Sequence, residues 1–167
     1  NYGFRVAVNG MGIPPEAVIQ TSNFIGFLLE EAVTRGIKRI LLLGHVGKLI
    51  KVAGGIFHTH NRVADARKEI LIAHAALNGI PCPELHELSA FPTVEGAALA
   101  LIEHGHGELL HKLAELASDR VRQYTRGQID AGTIFTLFDG TFIGWDDSAR
   151  RIVDGAHWNW PAQNPGC

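Results

Sequence analysis

Arg39-Ile-Leu-Leu-Leu-Gly-His45 is the stretch most informative about architecture. Ile40 to Leu43 is a continuous apolar run whose length suits a strand rather than a membrane span. A continuous run of this kind, closed by Gly44, reads as a strand buried on both faces, as in a parallel sheet. Upstream, Val18-Ile-Gln20 is expected to form a short strand after the Pro14-Pro15 turn. Thr21, Ser22 and Asn23 then offer side-chain oxygens that can accept from the free amides of a helix start. Phe24, Phe27, Leu28, Ala32 and Val33 follow at helical spacing, and Gly36 suits the left-handed end of that helix. The front of the chain therefore reads strand–helix–strand, of parallel type.

Downstream the period is helical, then alternating. A helix is expected over Arg62 to Asn78, on Val63, Ala66, Ile70, Ala73 and Leu77, stopped by Gly79 and Pro81. Two more are expected over Val94 to Glu103 and Glu108 to Tyr124, the latter with Leu109, Leu113, Leu116, Ala117 and Val121 on one side. Thr133 to Phe138 and Thr141 to Trp145 flank Asp139-Gly140, a pair suited to a type I′ hairpin turn. The opening, with Gly3 and Gly10, reads as loop, and His157-Trp-Asn-Trp-Pro161 has no periodicity. Without repeat, low-complexity tract or linker, residues 1–167 read as a single α/β domain: parallel-type front, helical middle, C-terminal β-hairpin. The chain opens on Asn1 rather than Met, and part of a longer protein is expected.

Composition narrows the function classes. A hydrophobic share of 46% and a charged share of 19% are ordinary for a globular chain. The net charge of -2 argues against bulk nucleic-acid binding, which needs a basic excess. Cys82 and Cys167 form no CxxC pair and no disulfide framework, so a reducing cytoplasm is the default. No secretory signal is legible, and no apolar run of about 18 residues could span a membrane.

The densest set of chemically capable residues runs from Thr21 to Arg67. Gly44-His45-Val46-Gly47-Lys48 follows the buried strand, where ligands bind in open parallel sheets. Gly44 and Gly47 would let the backbone approach a ligand closely, or they only shape a strand-to-helix turn. Lys48, Lys51, Arg62 and Arg67 supply positive charge. On the blander reading, Lys48 and Lys51 form a solvated helix face, and Arg62, Asp65 and Arg67 form local ion pairs worth ~0.2–0.5 kcal/mol each. A Walker A loop is excluded, because Gly47-Lys48 is followed by Leu49 and the position five before Gly47 is Leu42. His58-x-His60 has a spacing that puts two imidazoles on one side of a strand, and histidine is the commonest metal ligand. The pair alone is a weak signal, and a third ligand would have to come from His45 or Asp65, so no metal is assigned. His104, His106 and His111 read as surface residues, His74 as a packing residue, and Trp145, Trp158 and Trp160 as core or cap aromatics.

Three blocks, Val18 to Gly26, Leu43 to Ala53 and Gly55 to Arg67, resemble the signature stretch of the CbiD family in order and spacing. Together they cover roughly residues 13–80, whereas the later segments fit more loosely. The resemblance implies an α/β enzyme of more than one domain, unlike the standard methyltransferases of its pathway. It implies methyl transfer from S-adenosylmethionine to ring carbon C1 of cobalt-precorrin-5B, giving cobalt-precorrin-6A in the anaerobic cobalamin route. A Gly-Thr-Gly type segment associated with the family's N-terminal part is absent, so this chain would hold only part of the active site. On that reading Lys48, Lys51, Arg62 and Arg67 bind the carboxylate arms of a corrinoid. His45, His58 or His60 handle a proton or contact the corrinoid cobalt, and Asp65 orients Arg62 or a histidine. Thr21, Ser22, Asn23, Gly44 and Gly47 hold the cofactor, with Ser22 and Asn23 at a helix N-terminus. The partner is a corrinoid small molecule, with neither nucleic acid nor membrane, and a homo-oligomer is left open. Two rivals stand beside it: a metal-dependent hydrolase or lyase built on His45, His58 and His60, and a non-catalytic tetrapyrrole-binding domain.

Overall fold

The computed structural model describes residues 2–160, so Pro161 and Cys167 lie outside the described residues. Three strands make one sheet in the order β1-β2-β3: β1 (Arg39–His45), β2 (Asp130–Thr136) and β3 (Phe142–Trp145). β1 and β2 are parallel, in register from Arg39 with Asp130 to His45 with Thr136. β2 and β3 are antiparallel. The chain is mixed α/β, and β1 is the expected strand. Its parallel partner is different: Val18-Ile-Gln20 forms no strand, and the first arm of the C-terminal hairpin takes that place. Because β1 lies at the sheet edge, only Leu42 is fully buried, while Leu41 and Leu43 are half-buried.

The helices are α1 (Tyr2–Arg5), α2 (Ile25–Thr34), α3 (Val46–Ala53), α4 (Arg67–Leu77), α5 (Cys82–Ala90), α6 (Val94–Glu103), α7 (Glu108–Tyr124) and α8 (Asp147–Gly155). The main core lies on one face of the sheet, between α7, α3, α6 and residues such as Leu42, Ala131 and Phe135. A smaller core on the other face joins Ala7, Met11 and Ile13 to Ile134, Ala149 and Val153, with Trp145, Trp158 and Trp160 packed around it. Layering helices on both faces is how a small sheet with two apolar sides is buried. α8 reaches β2 closely because Gly132 has no side chain: a Cβ there would stand 2.4 Å from the Ala149 backbone. Among the described residues, no helix is long and apolar enough to cross a membrane.

α6 and α7 have the expected bounds. Elsewhere the structure corrects the reading. The opening is helical, α1 followed by a π-helical turn over Val6–Gly10. α2 takes no side-chain cap from Thr21, Ser22 or Asn23, and it buries Ile25, Gly26 and Leu29 while Phe24 and Phe27 face outward. The helix expected from Arg62 begins only at Arg67, burying Leu71 and Ala75 and leaving Val63 and Leu77 exposed. At the hairpin, Gly140 N–H donates to Leu137 O (3.3 Å) and Leu137 N–H to Thr141 O (2.9 Å). Gly140 has φ +101° and Asp139 has no positive φ, so the turn is not type I′. It is an ordinary turn closed by a left-handed glycine, with a bulge between Phe135 and Thr136.

Candidate functional site

No loop separates β1 from α3. The strand runs through Gly44 to His45, and the helix starts at Val46. His45 is the cap: its Nδ1 accepts from Gly47 N–H at 3.1 Å. An accepting Nδ1 leaves the ring proton on Nε2, where it is donated to Glu95 Oε2 at 2.7 Å. Gly47 is dictated by this ring, since a Cβ would lie 3.0 Å from His45 Nδ1. The imidazole stacks on Phe138 with centroids 3.8 Å apart, and Phe138 itself is 67% exposed. Tyr2 approaches the same ring edge-on and donates to Leu137 O at 2.6 Å. Burial, first of several causes, raises the Tyr2 hydroxyl above its usual range.

Lys51 lies deeper on α3, only 1% exposed. α3 is buried nearly all round, and Lys48 is its one residue outside the fully buried set. The Lys51 ammonium donates to Thr59 O (3.0 Å), Asn61 Oδ1 (2.7 Å) and Ala64 O (2.9 Å), so all three of its donors are spent. Burial lowers its pKa, partly opposed by Asp65. Lys51 thus pins the returning segment 59–64 to α3. Lys48 donates to Ser22 O at 2.9 Å and stays half-buried, which pulls its pKa below the usual lysine range.

That pinned segment is paired with the start of α2. Thr59 N–H donates to Asn23 O (2.9 Å), Gly26 N–H to Phe57 O (3.2 Å) and Thr59 Oγ1 to Asn23 Oδ1 (3.4 Å). Phe24 and His58 form an antiparallel bridge, their rings edge-on at 5.0 Å. His58 Nδ1 is buried without a hydrogen-bond partner among the described residues. His60 Nδ1 accepts from Arg62 N–H at 3.1 Å, and both residues are exposed. Asp65 orients neither Arg62 nor a histidine. It holds Arg67 in a bidentate pair, both bonds 2.7 Å, which keeps its carboxyl below the usual range. Thr21 Oγ1 makes only a long 3.3 Å bond to Ser22 O, and Ser22 sits at φ +46°.

The structure therefore splits the Thr21–Arg67 stretch. Asn23, His58, His60, Lys48 and Arg62 share one surface around the pinned segment, beside exposed Phe24. His45, Gly44 and Gly47 belong to the carboxyl end of the sheet, with Glu95, Phe138 and Tyr2. Glu95, Phe138 and Tyr2 were missed in sequence, and no local signal marks them, because their juxtaposition with His45 comes from tertiary packing. Among the described residues, no three His, Cys, Asp or Glu side chains are grouped to hold a metal ion, and His45 does not converge on His58 and His60. The outlying histidines are more engaged than a surface reading implies: His106 Nε2 meets Glu84 Oε2 at 2.9 Å, and His111 Nδ1 lies 3.0 Å from Trp145 O.

Comparison with known proteins points to one family. A family model described as CbiD, C-terminal domain, matches residues 58–147. A protein named cobalt-precorrin-5B C(1)-methyltransferase from Desulfitobacterium hafniense (strain Y51) is 56% identical over 161 residues, covering 96% of this chain and 41% of that protein. Proteins of the same name from Klebsiella pneumoniae subsp. pneumoniae and Moorella thermoacetica are 42% and 43% identical, covering 86% and 90% of this chain and 39% and 42% of their own lengths. The chain spans about two-fifths of the length of these curated relatives. No solved structure matches it.

Proposed function

This chain belongs to the CbiD family, matched in its C-terminal domain, and from that premise we propose that it is the C-terminal part of a cobalt-precorrin-5B C1-methyltransferase. The observation that carries the reading is the 56% identity over 161 residues to a relative of that name. The reaction we propose is transfer of the methyl group of S-adenosylmethionine to ring carbon C1, giving cobalt-precorrin-6A in the anaerobic cobalamin route. We further propose a longer two-domain enzyme, with residues 1–167 as one α/β domain, acting in the cytoplasm as a monomer or homo-oligomer without nucleic acid or membrane.

The donor supplies a methyl group that is already activated, so the chain need only align the partners and exclude water. A corrinoid presents a broad apolar macrocycle with carboxylate arms. Exposed Phe24, flanked by Lys48 from α3 and by the segment bearing His60 and Arg62, offers the matching chemistry. We assign Lys48 and Arg62 to the arms, with Arg62 well suited to bidentate contact because, among the described residues, no side-chain partner engages its guanidinium. Lys51 and Arg67 act one step back, holding the segment that presents them. His58, with its unpartnered Nδ1, is the proposed proton-handling group. Among the described residues His45 is engaged by Glu95 and is not grouped with His58 and His60, which counts against the metal-hydrolase rival.

The deciding experiment incubates the full-length protein with S-adenosylmethionine and cobalt-precorrin-5B and follows the corrinoid by mass spectrometry. Gain of one methyl group at C1 is expected. A corrinoid that binds and comes back unmethylated would instead support the non-catalytic tetrapyrrole-binding rival.

A further inference from the structure

We infer that the methyl donor binds at the carboxyl end of the sheet, against Phe138 and Glu95, rather than beside the histidine-rich segment. This rests on the methyltransferase reading and adds the position of one of its two ligands. β1 and β2 are parallel and end side by side, His45 opposite Thr136. The crevice beyond the carboxyl ends of parallel strands is where open sheets place ligands. Three features of this end match a sulfonium nucleoside.

The first is an available aromatic surface. Phe138 has one face stacked on His45 and Tyr2 set edge-on to its ring, yet 67% of the residue is exposed. A flat adenine ring or a cation can be received on such a surface. The second is the sign of the charge. Among the described residues, Glu95 and Asp139 both act on Tyr2 electrostatically, against one cation, Arg5. The carboxylates outnumber it. A sulfonium is attracted there, while a corrinoid edged with carboxylates is repelled and directed to the Lys48–Arg62 side. Glu95 also retains acceptor capacity: Oε2 is engaged by His45 at 2.7 Å, but Oε1 has only a 3.5 Å contact with Phe138 N.

The third feature is a poorly satisfied polar atom. Thr136 is 1% exposed, and among the described residues its Oγ1 makes no well-formed hydrogen bond, although the Tyr2 hydroxyl lies close enough to act on it. Ile134 faces the smaller core, and Thr136, beyond the bulge after Phe135, acts on the Tyr2 hydroxyl where Tyr2 approaches Phe138. The hydroxyl thus sits under the region the donor would cover. The neutral tautomer of His45, imposed by the Gly47 amide, makes it a fixed platform for Phe138 and Glu95 and leaves it no free nitrogen for proton transfer.

The test is isothermal titration of the full-length enzyme, with and without corrinoid, using S-adenosylmethionine and its neutral product S-adenosylhomocysteine. Glu95→Gln keeps an acceptor for His45 but removes the charge. It is expected to weaken S-adenosylmethionine roughly 10-fold and S-adenosylhomocysteine less than about threefold. Phe138→Ala, at an exposed tip, is expected to weaken both by roughly fivefold or more. Wild-type affinity for S-adenosylmethionine in both variants would overturn the placement and leave the methyltransferase reading standing. Equal weakening of both ligands by Glu95→Gln would overturn the charge-based recognition. Failure of the wild-type protein to bind S-adenosylmethionine under either condition would overturn the methyltransferase reading itself.

Discussion

The two regions that meet at α3 use their polar groups in opposite ways. Behind the helix, segment 59–64 turns its acceptors inward onto the Lys51 ammonium, and Asp65 is spent on Arg67. At the front of the helix, His45 is equally engaged, yet the groups it supports stay open: Phe138 is exposed and Glu95 has a spare oxygen. A stretch crowded with His, Lys and Arg can thus be chiefly occupied in holding its own shape, whereas a sparse hairpin tip can present the freer surface.

Lys51→Met offers the hardest test of this contrast. It removes three donors from two carbonyls and an amide oxygen while keeping most of the side-chain volume. Relief from burying a charge offsets part of the loss, and a destabilisation of about 2 kcal/mol is expected. Urea unfolding and amide exchange over residues 59–64 measure it. Unchanged stability with unchanged protection would show that Lys51 does not hold the segment. Gly47→Ala probes the other region with a smaller effect, about 1–2 kcal/mol, because the new methyl must displace the His45 ring. NMR of the imidazole should report loss of the stacked position on Phe138. A His45 ring that stays in place would mean that Gly47 is not required by it.

Asp65→Asn should cost less, at most ~1 kcal/mol, since the pair is partly solvated. Its pH signature is more diagnostic. The folded-state pKa of Asp65 is depressed, chiefly by the Arg67 hydrogen bond, below an ordinary value of 3.8. Its contribution is therefore present above that value and is lost as pH falls through the depressed one. The stability gap between wild type and Asp65→Asn should close on acidification through this window. A gap that stays constant into strong acid would refute the assignment.

What could be read from the sequence divides along the same line. β1, α6 and α7 announce themselves by periodicity, and the hairpin by Asp139-Gly140. α5 was missed because Pro81 and Pro83 look like a stop, although proline is tolerated in a first helical turn. α8 was missed although its cap is local, Asp146 accepting from Ala149 N–H at 2.8 Å, because the helix offers only a short apolar face of Ala149, Ile152 and Val153. In the site, the neighbours from His58 to Arg67 were legible as a group. Lys48 and Lys51 were not distinguishable, since what separates them is how deeply α3 is buried. His45, Glu95 and Phe138 could not be joined at all, because a residue's nearest neighbours across a fold are set by packing rather than by spacing.

Arg62→Ala has the smallest expected effect on stability, and it decides whether the histidine-rich segment does more than hold itself. Arg62 is exposed and makes no side-chain ion pair among the described residues. Its truncation should shift unfolding by no more than ~0.5 kcal/mol, as for surface positions generally. If the segment also receives a carboxylate arm, removal of a charge-assisted bidentate contact should weaken corrinoid binding by roughly 10-fold in the full-length enzyme, while S-adenosylmethionine affinity stays at the wild-type level. Loss of donor affinity instead would bring both ligands onto the same surface and erase the contrast between the two ends of α3. Loss of neither would leave the segment as a self-supporting element and move the corrinoid elsewhere.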